Sequence, residues 1–191
     1  MFTDARSKKL VLVAHCILNQ NSISDNTADF PGTFQDLVAL LLEYNIGILQ
    51  LPCPELTCLG LDRGDVHGAE RPVIVENSRI RNALGQSVPT NKLKLIVDQV
   101  IYQIEEYQKN RFTILGIIGI NRSPSCGVET TSMNNEEAAG MGLFMEAVRE
   151  ELGSKGVDIK MIGVKTSEVE KSLKKVKELL DGHFEKVYYG A

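Results

Sequence analysis

The chain has 191 residues, of which 43% are hydrophobic and 24% are charged, and its formal net charge is -4. The length and composition predict one globular domain, residues 1–191, whose core needs no disulfide bonds. The negative charge argues against nucleic acid as a partner, and no apolar stretch approaches the roughly 20 residues of a membrane-spanning helix, so we expect a cytoplasmic protein without membrane partners.

Strand-like and helix-like patterns alternate along the chain. Short apolar runs predict strands at 11–14, 46–51, 112–120 and 160–164, and helical spacing predicts helices at 31–44, 91–107, 136–152 and from 167 to a stop at Gly182. The third strand is apolar on both faces, as in a covered parallel sheet. The pattern therefore predicts an α/β fold: a three-layer, doubly wound, Rossmann-like sheet of about four mainly parallel strands.

A loop-rich insertion at about 54–89 interrupts this alternation. Loops longer than about 15 residues in compact domains are usually functional or disordered. Residues 72–75 and 78–88 predict a small β-hairpin within the insertion. Because the insertion starts at the carboxyl end of the second strand, we expect it to form a wall or lid of a site there.

Three of the four cysteines follow strand-like runs at the same structural position. Cys16, Cys53 and Cys126 come after the first, second and third predicted strands. The carboxyl ends of neighbouring parallel strands meet at the edge where open α/β sheets place their sites. Three converging thiolates suit a soft metal or an iron–sulfur cluster with one coordination position left for chemistry. In a reducing compartment, cysteines also favour such uses over disulfide bonds.

Polar residues beside these cysteines are the candidates for catalysis. Ser123 and Ser125 precede Cys126 in a tight loop whose backbone N–H groups can stabilise thiolate or sulfide charge. The alternative is an ordinary strand-to-helix turn with a half-buried thiol. Glu55, just after the second cysteine, is a candidate for proton transfer, or a carboxylate that merely complements a helix N-terminus.

Three motifs together resemble those of the thiouracil desulfurase family. They are Cys16 after the first strand, the CPE sequence at 53–55 and the SPSCG sequence at 123–127, in the family's order over about the first two-thirds of the chain. The resemblance implies that the three cysteines hold a 4Fe–4S cluster, which aerobic purification can remove. It also implies that the fourth iron is free to bind the sulfur of a substrate.

The activity implied by this resemblance is that of a desulfidase. Such an enzyme would cleave a C–S bond of a small thiolated compound, for example a thio-nucleobase. Glu55 would transfer protons, and Ser123 and Ser125 would hydrogen-bond the sulfur or the cluster. The chain departs from the family at residues 17–22 and at Ile120, where the family commonly has Lys. These departures predict a relative with a different thiolated substrate.

The fourth cysteine and the histidines have less specific interpretations. Cys58 is either a fourth ligand that closes the cluster or, as we favour, a buried small side chain. On a strand, His15 would face away from Cys16 as a packed, hydrogen-bonded residue. His67 is expected to be exposed, and three scattered histidines give little support to a His-rich zinc site.

Two other functions remain open from the sequence alone. A cysteine-dependent hydrolase or thiol redox enzyme would use Cys126 or Cys53 directly and would need no cluster. A non-enzymatic metal-binding or sensor protein would use all four cysteines, Cys58 included. The number of cysteines that bind metal distinguishes these functions from the desulfidase.

Overall fold

The chain folds into alternating strands and helices, and the computed structural model describes residues 2–188. In chain order the elements are β1 (Lys9–Val13), α1 (His15–Leu18), α2 (Gln35–Glu43), β2 (Gly47–Gln50), α3 (Pro54–Leu59), α4 (Val73–Leu84), α5 (Ser87–Lys109), β3 (Thr113–Ile120), β4 (Thr130–Met133), β5 (Glu136–Ala139), α6 (Leu143–Ser154), β6 (Met161–Val164) and α7 (Val169–Tyr188). Short 3-10 turns lie at Gln20–Ser22 and Gly68–Glu70.

Four parallel strands form the central sheet in the order β2-β1-β3-β6. Val13 of β1 pairs with Gln50 of β2 and Ile118 of β3, so the three strands end at nearly the same level. Ile120 of β3 pairs with Val164, the last residue of β6. The residues that follow all four strands therefore lie along one edge of the sheet.

Helices cover both faces of this sheet. Gly116 and Gly119 are three residues apart on β3 and so face opposite sides. A Cβ atom built on Gly116 would meet Leu179 of α7 at 2.8 Å, whereas one on Gly119 would meet Met145 of α6 at 3.2 Å. α2 packs with α7, and α5 packs with α6. The predicted three-layer, doubly wound α/β fold is confirmed.

The predicted helix 136–152 is wrong in its first third. Residues 130–139 form an antiparallel hairpin of β4 and β5, and α6 begins only at Leu143. Asn134 and Asn135 both have positive φ, at 54° and 62°, which is the backbone of the two-residue hairpin turn that asparagine tolerates well. The predicted stop at Gly182 is also wrong, because α7 continues to Tyr188.

The hairpin predicted inside the 54–89 insertion is wrong as well. α3, α4 and the start of α5 occupy this segment. The β-branched run at the start of α4 resembles a strand, but Ile80 and Leu84 are fully buried at helical spacing, and tertiary packing decides the helix. Within residues 2–188, none of the helices combines the length and apolar character that crossing a membrane requires.

Candidate active site

A cavity of about 290 Å³ opens at the carboxyl edge of the central sheet. Its lining includes residues that follow each of the four parallel strands, namely 15–16, Cys53, 121–126 and 165–167. The chain passes from β1 to β2 on one side and then returns to β3 on the other side of β1. Sites of open α/β sheets lie at such a switch point, so the topology supports this cavity as the functional site.

Three of the four cysteines line the cavity, and all four are free thiols. Cys16 lies on α1 directly after β1. Cys53 caps the N-terminus of α3, and its Sγ accepts a hydrogen bond from the N–H of Leu56 at 3.4 Å. Cys126 lies in the loop between β3 and β4. The structure thus brings together, in one cavity, the three cysteines that the sequence placed after separate strands.

Burial and mutual proximity disfavour the thiolate form of these cysteines. Burial, followed by the charges of Cys53 and Glu55, raises the pKa of Cys16 to about 12. Burial and then the charges of Cys16 and Cys53 raise the pKa of Cys126 well above its ordinary value. The pKa of Cys53 is raised by burial and by Glu55. Three thiolates would repel one another here, and a cationic group between them would remove that repulsion.

The donor chemistry of the cavity fits an iron–sulfur cluster. Within residues 2–188, no three or more His, Cys, Asp or Glu side chains are grouped so that they could hold a metal ion. The three thiols come from three separate elements around a cavity, and thiolates are the usual protein ligands of iron–sulfur clusters, which contain several metal atoms. Cys16, Cys53 and Cys126 are the residues that would hold such a group.

Glu55 is a buried carboxylate with partners on both of its oxygens. It lies in the first turn of α3 and is only 6% exposed. Ser125 Oγ donates to Oε1 at 2.6 Å, while Ser24 Oγ and Arg63 Nε donate to Oε2 at 3.1 Å and 3.2 Å. The carboxylate therefore links the Cys126 loop to a buried cation.

The two serines fix the loop that carries Cys126. Ser123 Oγ accepts hydrogen bonds from the N–H groups of Cys126 at 2.9 Å and of Ser125 at 3.3 Å. It also lies 3.2 Å from Ser125 Oγ, which in turn lies 3.6 Å from Cys126 Sγ. The hydroxyl groups thus connect the loop backbone, a cavity thiol and Glu55 in one hydrogen-bonded chain.

Arg63 is a part of this site that the sequence analysis did not assign. Its side chain is 4% exposed, and besides Glu55 it donates to the carbonyl oxygens of Leu61, at 2.6 Å, and Ser22. Arg63 has a φ of 55°, and its own carbonyl oxygen accepts from Arg79 at 3.0 Å. Nothing in the local sequence predicts these contacts, because they depend on how the 20–30 loop and the insertion pack together.

Comparisons with known proteins give two similar chains. No protein-family model matches this sequence. An uncharacterized protein of Methanocaldococcus jannaschii is 29% identical over 157 residues, which cover 82% of this chain and 86% of the relative. Among solved structures, a 4Fe–4S-dependent thiouracil desulfidase is similar with a TM-score of 0.48 and 14% identity, over 88% of this chain and 98% of that chain. So distant a structural likeness says nothing by itself about activity.

The structure also places the cysteine and histidines whose roles were open. Cys58 is buried in the hydrophobic core, outside the residues that line the cavity, as the favoured interpretation expects. His15 shares α1 with Cys16 and lines the cavity with it. The predicted hydrogen-bonded role of His15 is wrong, since its buried Nε2 has no hydrogen-bond partner among the described residues. His67 is exposed and pairs with Glu70 at 2.8 Å.

Several polar residues that line the cavity were not predicted from the sequence. The loop after β6 contributes Lys165 and Thr166, and Thr166 Oγ1 donates a hydrogen bond to Asp29 from the 20–30 loop. Asn77 of α4 is 6% exposed and also lines the cavity, as does Arg63. The insertion thus supplies one wall. Besides Glu55 of the CPE motif, the insertion contributes Arg63 and Asn77, neither of which belongs to a motif.

Proposed function

We propose that the protein is an iron–sulfur-dependent desulfidase that removes sulfur from a small thiolated compound. The observation that carries this proposal is the convergence of three thiols on one cavity, beside the hydrogen bond between Ser125 and Glu55. Three cysteines can hold three irons of a 4Fe–4S cluster and leave the fourth open. The resemblance of the three cysteine motifs to the thiouracil desulfurase family supports the same function.

The proposed reaction is a hydrolysis that needs proton transfer but no net electron transfer. When bound, the cluster supplies a Lewis-acidic iron that polarises the C–S bond of the substrate. The carbon gains an oxygen from water and loses its sulfur, so both protons of the attacking water pass in net terms to the sulfur, which leaves as hydrogen sulfide. A residue beside the thiols must therefore accept and return a proton.

Glu55 is our candidate for moving this proton. Its Oε1 is bonded to Ser125 next to Cys126, while Arg63 and Ser24 hold Oε2 on the other side. These contacts fix the carboxylate with one oxygen towards the thiols. Ser125 links that oxygen to the loop, and Ser123 orders the same loop through two backbone N–H groups. Both hydroxyl groups are candidates to hydrogen-bond the sulfur that leaves.

The geometry disfavours the two alternative functions. A thiol enzyme needs a reactive thiolate, but burial raises the pKa of Cys16, Cys53 and Cys126, so each is a poor nucleophile as a free thiol. A closed four-cysteine metal site needs Cys58, which lies in the core instead.

The experiment that tests the proposal is reconstitution of the protein with iron and sulfide in the absence of oxygen. We expect about four irons and four sulfides per chain, broad visible absorption, and release of sulfide from thiolated compounds. The control is protein treated in the same way without iron, which should release none. A protein that binds no iron after this treatment would contradict the proposed function.

A further inference from the structure

Asn77 carries a buried amide whose oxygen is left free at the cavity. It lies on α4, is only 6% exposed and lines the cavity. Its Nδ2 donates to Ser132 Oγ at 3.4 Å, whereas its Oδ1 accepts no hydrogen bond within the described part of the chain. Buried polar atoms almost always have a hydrogen-bond partner, so this oxygen requires an explanation.

The contacts of Ser132 fix which end of the amide is free. Ser132 is fully buried, and its Oγ donates its only hydrogen to the carbonyl oxygen of Arg122 at 2.6 Å. Towards Asn77 the same hydroxyl can only accept, so the nitrogen of the amide must face it. The small exposed part of Asn77 then includes Oδ1, because His15 Nε2 is the one fully buried side-chain nitrogen or oxygen without a partner among the described residues. The amide therefore presents an acceptor to the cavity.

The helix turn that carries Asn77 is held by the residues on either side of it. Glu76 Oε1 lies 2.6 Å from Arg79 Nη2, and Ser78 Oγ accepts from the N–H of Asn135 at 2.8 Å. The position of the free oxygen is thus fixed before any ligand arrives. Such preorganisation is what a binding site requires.

We propose that Asn77 binds the substrate, with Oδ1 accepting a hydrogen bond from one of its N–H groups. This inference rests on the proposed function and names the group that the cavity recognises. The substrate is then a thiolated compound with an N–H donor, instead of a thioacid or a thioether that lacks one. Ser132 orients the amide and also bonds to Arg122 O. The next residue, Ser123, orders the loop of Cys126, so one connected segment holds both the acceptor and the thiol.

The first test compares sulfide release from thiouracil and its methylated derivatives. Methylation of either ring nitrogen removes one N–H, whereas methylation of a ring carbon adds the same bulk and keeps both. We expect one of the two nitrogen-methylated isomers to have a kcat/KM about tenfold or more below that of the carbon-methylated compound. N77L has nearly the same size but no acceptor and should lose this preference, mainly through KM. N77D keeps an acceptor oxygen and should keep part of it.

The chain offers a matched control in Asn82. It lies on the same helix but is exposed and outside the residues that line the cavity. N82L should therefore keep the full preference. The preference is a ratio within one preparation, so a smaller folded fraction of N77L does not change it. Equal kcat/KM for nitrogen-methylated and carbon-methylated compounds in the wild type would overturn the proposal, as would an unchanged preference in N77L.

A binding measurement separates this inference from the proposed function. Calorimetry with uracil and its methylated derivatives, on protein with and without iron, requires no sulfur chemistry. We expect the wild type to bind one nitrogen-methylated isomer about tenfold more weakly than the carbon-methylated compound, and N77L to bind the two equally. If this pattern holds while no compound releases sulfide, the contact with Asn77 stands and the desulfidase fails. If sulfide is released but nitrogen methylation changes neither kcat/KM nor binding, the desulfidase stands and the contact fails.

Discussion

The four cysteines lie in two different environments, although their side chains have the same chemistry. Cys16, Cys53 and Cys126 line one cavity, where burial raises the pKa of each thiol. Cys58 lies on α3, five residues beyond the N-cap residue Cys53, and packs against apolar side chains of the core. The four side chains thus differ in what surrounds them. We therefore expect the substitution of cysteine by serine to have different effects at these positions.

We expect Cys16→Ser, Cys53→Ser or Cys126→Ser each to lose most of the iron after anaerobic reconstitution, because a hydroxyl is a poor replacement for a thiolate ligand. Cys58→Ser should keep its iron content and visible spectrum. Iron analysis of the four variants checks this. Loss of iron in Cys58→Ser alone would instead show a site that uses the fourth cysteine.

The ion pair between Arg63 and Glu55 predicts a large effect on stability. Both side chains are nearly buried, at 4% and 8% exposed. Arg63→Met leaves an unpaired buried carboxylate, which should lower the free energy of unfolding by about 3–5 kcal/mol in urea titrations. Adding Glu55→Gln to Arg63→Met should restore part of that loss. Lys94→Met breaks an exposed pair with Asp98 and, as the control, should cost roughly 0.5 kcal/mol or less.

At the scale of elements, the Cys126 loop depends on close packing against the β4–β5 hairpin. A Cβ atom on Gly127 would lie 2.2 Å from Thr130 O and 2.8 Å from Ser123 O, both backbone atoms that cannot move independently. The carbonyl oxygen of Gly127 also accepts from the N–H of Gly142 at 3.0 Å. The position of Cys126 is therefore tied to a glycine that lets two backbones approach.

Gly127→Ala should displace this loop and lower both iron loading and thermal stability. The matched control is Gly153→Ala on α6, where a Cβ atom would have no neighbour within 4 Å. That control should keep full iron loading and be unchanged or stabilised by up to about 1 kcal/mol, because alanine is the better helix former. Normal iron loading in Gly127→Ala would show that the loop tolerates a shift.

A cluster of ion pairs around Glu76 of α4 stabilises the insertion internally. Arg79 Nη2 lies 2.6 Å from Glu76 Oε1, and Arg71 Nη1 lies 3.0 Å from Oε2. Hydrogen bonds from Arg79, followed by the charges of both arginines, lower the pKa of Glu76 below its ordinary 4.5. The pair with Arg71 connects α4 to the loop that carries Arg63.

This lowered pKa predicts a loss of stability in acid. The contribution of Glu76 is fully present above its unfolded pKa of about 4.5 and is lost as pH falls through the lower folded value. Urea titrations should therefore show a falling free energy of unfolding below that pH. Glu76→Gln should be less stable at neutral pH and show a shallower acid loss. An unchanged acid profile in Glu76→Gln would show that other carboxylates dominate.

At the scale of the whole molecule, the site lies at the edge of a core that does not depend on it. Val11, Leu12 and Val13 of β1 are fully buried, as are Ile117 and Ile118 of β3. Helices on both faces complete this core, of whose buried residues only Ile120 and Cys126 also line the cavity. The fold should therefore form before, and without, any group held by the three thiols.

We accordingly expect the triple variant Cys16→Ser, Cys53→Ser and Cys126→Ser to fold. Its far-ultraviolet circular dichroism should match that of the wild type, and its unfolding in urea should remain cooperative. The same should hold for wild-type protein whose metal has been removed by a chelator. Loss of helical signal in either sample would show that the group in the cavity is needed for folding.

The sequence by itself determined the layers of the fold and the elements that carry the three thiols. The apolar run at Thr113–Ile120 and the shorter runs near Lys9–Val13, Gly47–Gln50 and Met161–Val164 have a local pattern that indicates strands. The β-α alternation then fixes parallel strands whose ends share one edge. Cysteines after three of those strands could be assigned to one site, because that assignment needs only the knowledge that the strands are parallel and end at one edge of the sheet.

Only the tertiary structure decided how the site is completed. The partners of Glu55 come from residues 8, 31 and 70 positions away in the chain, and no local pattern specifies them. The hairpin at Thr130–Ala139 and the helix α4 have residue patterns that suit strand and helix alike, and packing against distant elements selects between them. Arg122 and Lys165 both line the cavity at the carboxyl edge of the sheet. Segments this far apart in the chain come together only when the whole core has formed.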